Sequence, residues 1–466
     1  MTAQTTINLP PNAASLSESL RGMGYDLNTA MADVIDNSIA AHAENIEVFV
    51  ELASNPVWAS IRDDGDGMTR DELIAALALG SSSPLAQRGD DDLGRFGLGM
   101  KTASFSQCRR LTVASKKEGR LSVFTWDLDL LAETNNWDLL EVKPPCTDPR
   151  LSVPGESGTV VLWEKIDRTL AFAPDAKPGE KMRVVDTLKK HLRLTFHRFL
   201  EDGDFKLTFN RQALYPWDPF FSTDPGRPRD FPESVWPPMS ATPAVRLRAF
   251  VLPRPKDQTI TLFDPSDELD MQGFFIYRNK RLISAGGWLH LPGLTKRQEF
   301  ALARIRLDFD PSSDADWRID IRKSIARPPR EIREWLTRQA VEARTFSDLE
   351  LQSHHGGKTL RANNIWKKPC RGAPYVPSGT DPVMQTVFQA NASGELSNEL
   401  LQGVFEVVSY GHPSASQRVK TAPKSPAAEA AALFIYEKLK AVYGAEQAQA
   451  ILISREPFAS WRSLFN

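Results

Sequence analysis

The segment ADVIDNSIAAHA, residues 32 to 43, sets an acid and an amide four positions apart, at Asp33 and Asn37. At helical pitch both fall on one face with Asp36 and Ala40, while Met31, Val34, Ile35 and Ile39 make the apolar side that packs. One face is therefore left for polar chemistry. Acid and amide at this spacing more often decorate a solvated helix face, so the pair alone decides little.

Two further stretches follow it in order. In SIRDDGDGM, Asp63 closes a strand-like run and precedes Gly65 and Gly67, where glycines two apart let the backbone approach a flat ligand. An acid at that point can accept a hydrogen bond from an exocyclic amine. GRFGLGMK then brings Gly94, Gly97, Gly99 and Lys101 together with Leu98 and Met100. Glycine amides of this kind can surround phosphate oxygens, a following helix N-terminus adds positive potential, and Lys101 adds a full charge. A lone glycine cluster is weak; three such elements in sequence are specific.

The elements that must position these residues can be read from periodicity. Residues 15–23 and 27–41 are helical in pattern, 46–52 and 57–62 alternate like strands, and Thr69-Arg70-Asp71-Glu72 is a capping box ahead of a helix over 73–79. A Ser, Gly and Asp-rich loop, 81–93, leads to a short helix near 98–107, and strands are expected at 111–115, 121–128 and 158–163. The Pro-rich run 143–158 reads as a loop within the same unit. Beyond it come a long amphipathic helix over 182–201, the strand FKLTFN, the run GFFIYRNKRLI, a strand over 303–309 and a helix over 330–343. Residues 346–430 show little periodicity, and strong helix returns only at 427–453.

In this order and context the motifs resemble the GHKL ATPase superfamily of gyrase B subunits, MutL, heat-shock chaperones, histidine kinases and MORC proteins. The likeness runs from about residue 15 to 165, and LGRFGLGMKTAS with the IDNSI helix is most similar to prokaryotic MORC-like ATPases. The resemblance implies an α+β fold: a GHKL (Bergerat) ATP-binding sandwich of mixed sheet and helices over 1–172, a transducer-like α/β domain over 173–345, and a C-terminal region, 346–466, of unknown role. It implies ATP and Mg2+ as cofactors. Asp33 would activate water, Asn37 would ligate magnesium, Asp63 would bind the adenine amine, and Gly65, Gly67 and Met68 would shape its pocket. Gly94, Gly97, Leu98, Gly99, Met100 and Lys101 would hold phosphates, with 80–95 as the lid. Thr159 in GTVVLW would support Asp63 through water, and Lys323 in DWRIDIRKS would reach the γ-phosphate from the transducer. Asp36, beside the metal ligand, would be structural.

One position departs from the family. Most hydrolysing members outside the histidine kinases carry Glu where this chain has Asp33, a side chain shorter by roughly 1.5 Å. A shorter acid still orients water at some cost in rate, so slow turnover is expected.

Bulk composition sets the outer limits. The chain of 466 residues, 41% apolar and 25% charged, is too long for one core. Its start lacks the basic flank and apolar run of a signal peptide, no stretch suits a membrane span, and Cys108, Cys146 and Cys370 lack disulfide or zinc spacing, so a cytoplasmic protein is expected. Formal net charge is −2, but residues 273–372 hold 20 Lys and Arg against 11 Asp and Glu. That excess, with Arg278, Lys280, Arg281, Lys296, Arg297, Arg304 and Arg306, suggests non-sequence-specific DNA binding. The resemblance adds a homodimer formed on ATP binding, acting as a clamp, with a restriction-like defence setting and an operon-partner protein as further expectations. The alternative is a nucleotide-binding interaction or chaperone-like module without DNA; a histidine kinase would need a His-bearing dimerisation helix that the sequence does not offer.

Overall fold

The computed structural model describes residues 11–22, 24–79, 99–143, 145–173, 175–221, 229–237, 245–253, 270–309, 317, 327–353, 366–367, 376–377, 382–392, 395–410, 425–453 and 458. The chain divides into two compact units, 1–343 and 344–466.

Unit 1 opens with α1 (Ala13–Arg21) and α2 (Leu27–Ala40), then β1 (Asn45–Glu51), β2 (Trp58–Asp63), α3 (Arg70–Leu77) and α4 (Gly99–Gln107). There follow β3 (Cys108–Lys117), β4 (Arg120–Asp127), α5 (Leu128–Thr134), β5 (Leu140–Glu141), β6 (Gly158–Ile166), α6 (Pro178–Thr195), α7 (His197–Asp202), β7 (Lys206–Phe209) and β8 (Gln212–Ala213). The ends are set locally. Asp26 caps α2 by accepting the Thr29 N–H at 2.8 Å, and the Thr69/Glu72 capping box starts α3.

These strands form one mixed sheet in the order β5-β4-β3-β6-β2-β1-β7-β8, antiparallel except for β1 beside β7. β7 is the FKLTFN strand, so chain beyond residue 173 contributes to the same sheet as the motif-bearing strands. α2 and α4 pack on one face, where Ala30, Met31, Val34, Ile35 and Phe105 meet Val48, Ile61, Val161 and Trp163. Trp163 also donates its indole N–H to Ser104 Oγ at 2.9 Å, fixing α4 on β6. The opposite face is covered by the 143–158 loop, whose Leu151 and Val153 close over Ala114, Val123, Val160 and Leu162. The mixed sheet layered with helices is the α+β arrangement the sequence led us to expect.

The second half of unit 1 carries β9 (Arg229–Asp230), β10 (Ser234–Trp236), β11 (Val245–Val251), β12 (Gly273–Arg278), β13 (Arg281–Ala285) and β14 (Ala303–Phe309). They make a second sheet, β10-β11-β14-β12-β13, with β9 on β11 and with β12 parallel to β14. α7 and the turn after it hold this sheet: Arg198 pairs with Asp308, His197 Nε2 lies 2.8 Å from the Tyr277 hydroxyl, and Lys280 Nζ reaches Asp202 and Asp204 at 2.6 and 2.7 Å. The single helix expected over 182–201 is thus two, α6 and α7, broken at Phe196, where φ −107 and ψ 12 leave the α region. The break turns α7 toward the second sheet.

α8 (Arg333–Ser353) runs past residue 343. Unit 2 contains the short pair β15 (Trp366–Lys367) and β16 (Val376–Pro377), then α9 (Pro382–Ala392), α10 (Asn398–Tyr410), α11 (Pro426–Tyr443) and α12 (Ala445–Ile453). Two sequence expectations change here. The helix over 427–453 is interrupted at Gly444, φ +79, and the stretch taken as unpatterned contains α9 and α10. Gly403 disguised α10, since an internal glycine weakens a helix on propensity grounds. Its purpose is contact: a Cβ there would stand 2.0 Å from the Ala427 carbonyl oxygen. Among the described residues, no helix is long and apolar enough to cross a membrane.

Gly403→Leu should therefore force α10 and α11 apart at a cost of about 3 kcal/mol. Hydrogen exchange is expected to accelerate in both helices together; unchanged protection would show that the close approach does not matter.

Candidate functional site

α2 delivers the acid and the amide as its spacing predicts, but into unlike surroundings. Asn37 is exposed, and its Nδ2 donates to the Asp33 carbonyl oxygen at 2.8 Å, so Oδ1 is the atom offered to a cation. Asp33 is only 3% exposed. Its Oδ2 accepts the Tyr25 hydroxyl at 2.7 Å, and its Oδ1 lies 3.6 Å from Arg281 Nη2. Asp36, 2% exposed, receives Arg281 Nε at 3.1 and 3.2 Å to its two oxygens. The polar face of α2 is thus largely covered, by Tyr25 and by a guanidinium from β13.

One residue further along, Ser38 ties the same helix to the second acid. Its hydroxyl donates to Asp63 Oδ2 at 2.7 Å, while Asp63 Oδ1 accepts the Gly65 and Thr159 amides, both at 3.1 Å. β2 and β6 pair Asp63 with Thr159 directly, which is why the Thr159 amide needs no intermediary. The Thr159 hydroxyl instead meets Ser115 Oγ at 2.9 Å, and that oxygen accepts the Met68 amide at 2.8 Å. Burial raises the Asp63 carboxyl above its ordinary value, and the three hydrogen bonds reduce that rise without cancelling it. A carboxylate so held at a strand end can accept an amine from a planar ring.

The glycines behave as close-approach positions. A Cβ on Gly65 would stand 2.5 Å from the Ala41 carbonyl oxygen, and one on Gly67, φ +64, would stand 1.9 Å from that of Lys116. Neither position accepts a side chain, so the backbone lies tight against α2's end and β3. Gly99 begins α4, and a Cβ there would be 3.8 Å from Asp33 Oδ2, so the acid faces the N-terminus of that helix. Met100 is partly buried beside it. Lys101 turns the other way: it is buried, and Nζ donates to the Ala78 carbonyl just past α3 at 2.6 Å. Burial alone brings its pKa down to about 8. Gly94, Gly97, Leu98, the expected lid over 80–95, and Lys323 lie outside the described residues.

The basic stretch requires correction. Arg278 and Arg304 are buried with Arg281, and Arg304 Nη1 donates to the Ala301 and Ala303 carbonyls at 2.7 and 3.1 Å. Lys280 is bound to Asp202 and Asp204, Lys296 to Asp270 at 2.7 Å, and Arg306 to Asp308 at 3.1 Å. These six charges are engaged within the fold, and other cations of the stretch, among them Arg318, Arg322, Lys358 and Arg361, lie outside the described residues. Sequence reasoning also missed Tyr25, Ser38 and Ser115, whose contacts lie 8 to 47 residues away, and it did not foresee that Arg281 is buried against Asp36.

Comparison with known proteins points to the same region. Residues 25–159 match the family model described as histidine kinase-, DNA gyrase B-, and HSP90-like ATPase. Similar curated proteins include ATPase morc-1 of Caenorhabditis elegans, 32% identical over 91 residues, which are 20% of this chain and 10% of that protein. Chaperone protein HtpG of Rickettsia canadensis is 32% identical over 108 residues, 21% of this chain and 17% of its own length. DNA mismatch repair protein MutL of Coxiella burnetii is 35% identical over 92 residues, 19% of this chain and 16% of its own length. The aligned segment spans less than a fifth of each relative.

The depressed Lys101 pKa has a defined pH signature. Its folded value, about 8, lies below the ordinary 10.5, so between those values the unfolded chain binds more protons and stability rises with pH. The wild type should gain on Lys101→Met as pH increases across that window. A difference in unfolding free energy that stays flat would contradict the buried placement.

Proposed function

We propose that this chain, whose residues 25–159 form a domain of the histidine kinase-, DNA gyrase B- and HSP90-like ATPase family, binds ATP with magnesium and hydrolyses it slowly. The observation that carries the reading is the Asp33 carboxylate facing the Gly99 N-terminus of α4, one helical turn from the exposed Asn37 amide. An N-terminus of this kind draws phosphate, and the acid beside it is placed for a water attacking there.

In this reading Asp63 accepts the adenine amine, and the Gly65 and Gly67 backbone admits the ring's edge. The α4 amides at Gly99 and Met100 receive phosphate oxygens, with Gly94, Gly97 and Leu98 as further candidates. Asn37 Oδ1 would hold magnesium, whose charge offsets that of the phosphate oxygens. Asp33 orients the water and takes its proton as the water oxygen bonds to the γ-phosphorus and the bond to the ADP oxygen breaks. Lys101 enters phosphate binding only if its amino group leaves Ala78, and Lys323 stays a candidate for the γ-phosphate.

A wider reading, an ATP-gated homodimeric clamp on DNA, draws on kinship with the MORC and MutL proteins. Its DNA component has no support from Arg278, Arg281 or Arg304, which are internal. The first arm of a test is therefore nucleotide chemistry. Asn37→Ala and Asp63→Asn should each weaken Mg-ATP binding in calorimetry, the second because a buried acceptor is exchanged for an amide. Asp33→Asn should keep affinity and lose at least about 100-fold in turnover. Unchanged affinity in both binding variants would overturn the site.

The clamp has its own expected outcome. A non-hydrolysable ATP analogue should convert monomer to dimer in sedimentation velocity, and a species that stays monomeric at every concentration would remove the clamp while leaving the ATPase reading intact.

A further inference from the structure

The β12–β13 hairpin places one cation inside the nucleotide-binding half. Its two turn residues, Asn279 and Lys280, have φ of 46° and 66°, the left-handed pair of a type I′ turn, so Arg281 is fixed as the first residue of the returning strand, opposite Arg278. Lys280 anchors the turn on Asp202 and Asp204. Arg281 then points inward, 3% exposed, with Nε on Asp36, Nη2 3.6 Å from Asp33, and Nη1 on the Leu282 carbonyl at 2.7 Å. The guanidinium lies 5.9 Å from the Phe196 ring centre, at the break between α6 and α7. His191 on α6 is pushed down to about 4 by burial and then by Arg281, so it stands neutral beside the group and brings no competing charge.

We propose that Arg281 is a positioning residue for the hydrolysis step: it clamps Asp36 and thereby sets the rotation of α2 that aims Asp33. The inference rests on the ATPase reading above and adds to it the residue that couples the second sheet to the acid. A rigid fork suits this better than an ammonium, because one planar guanidinium can address two carboxylates three residues apart on one helix from different nitrogens. Arg281 contacts Asp33 and Asp36 but not Asn37, Ser38 or Asp63, and Ser38 stays tied to Asp63 without it, so its loss should act on turnover more than on binding.

The experiment is a set of variants in the full-length protein: Arg281→Met, Arg281→Lys, Asp36→Asn, and Arg281→Met with Asp36→Asn. Mg-ATP affinity is followed by calorimetry, hydrolysis by single-turnover kinetics and stability by thermal unfolding. Arg281→Met should cut turnover by at least about 10-fold with affinity within about 2-fold, and Arg281→Lys should recover only part of that loss. Arg281→Met alone withdraws the guanidinium from two buried carboxylates; adding Asp36→Asn should return part of the stability while turnover stays low. Recovery of turnover along with stability would reduce Arg281 to a structural prop and overturn the proposal, as would a single variant that hydrolyses at the wild-type rate while Asp33→Asn does not. If the wild type and Asp33→Asn are equally inert, the ATPase reading itself has failed and this inference falls with it.

Discussion

The constraint on which the rest of unit 1 turns is a buried group of three charges, Asp33, Asp36 and Arg281. Two carboxylates and one guanidinium out of water carry a desolvation cost of several kcal/mol per ion, offset only by close geometry and by further hydrogen bonds. The structure supplies both. Tyr25 gives its hydroxyl to Asp33, Arg281 spends a second N–H on the Leu282 carbonyl, and Phe196 stands near the guanidinium. Each of these partners comes from a different element, so the cluster cannot be satisfied unless α2, the α6–α7 break and β13 are all in place.

From that cluster α2 runs straight to the other end of the site. Ser38 lies one residue beyond Asn37 and binds Asp63, which is held in turn by the Gly65 and Thr159 amides, and the Thr159 hydroxyl passes to Ser115. The same helix therefore carries the acid that faces α4, the exposed amide of Asn37 and the hydroxyl that holds the strand-end carboxylate. A shift of α2 along its axis would alter all three at once. Ser38 holds the C-terminal part of α2 on Asp63 and Arg281 holds the turn that carries Asp33 and Asp36, so two anchors fix the helix at different points.

What was legible in the sequence divides along physical lines. Asp33, Asn37 and Asp63 announce themselves because helical phase and a strand end are local, and Gly65 and Gly67 do so by residue type, although the backbone they lie against, at Ala41 and Lys116, is distant in sequence. The capping box at Thr69 is local in the same sense. Arg281 is separated from Asp36 by 245 residues, and a sequence displays a charge without displaying whether it is buried. The +9 balance over 273–372 was thus read as surface, when Arg278, Arg281 and Arg304 lie inside. β7 was likewise recognisable as a strand, but its parallel place beside β1 depends on α6 carrying the chain back across the sheet.

The short acid is best understood from the space it occupies. Asp33 Oδ2 is already at hydrogen-bonding distance from Tyr25, Oδ1 is within reach of Arg281, and the residue is almost fully enclosed. One more methylene would move the carboxylate by roughly 1.5 Å into atoms that are there now, with the usual penalty for overpacking. On the opposite side Gly99, the first residue of α4, brings the start of that helix to the acid: a Cβ there would lie 3.8 Å from Oδ2, an ordinary contact, so the packing of α2 against α4 and not the lack of a side chain sets the approach. The length of the acid at position 33 therefore belongs to the packing around it, with Tyr25 and Arg281 holding the carboxylate on one side and the start of α4 on the other, and a longer acid cannot be judged without those neighbours.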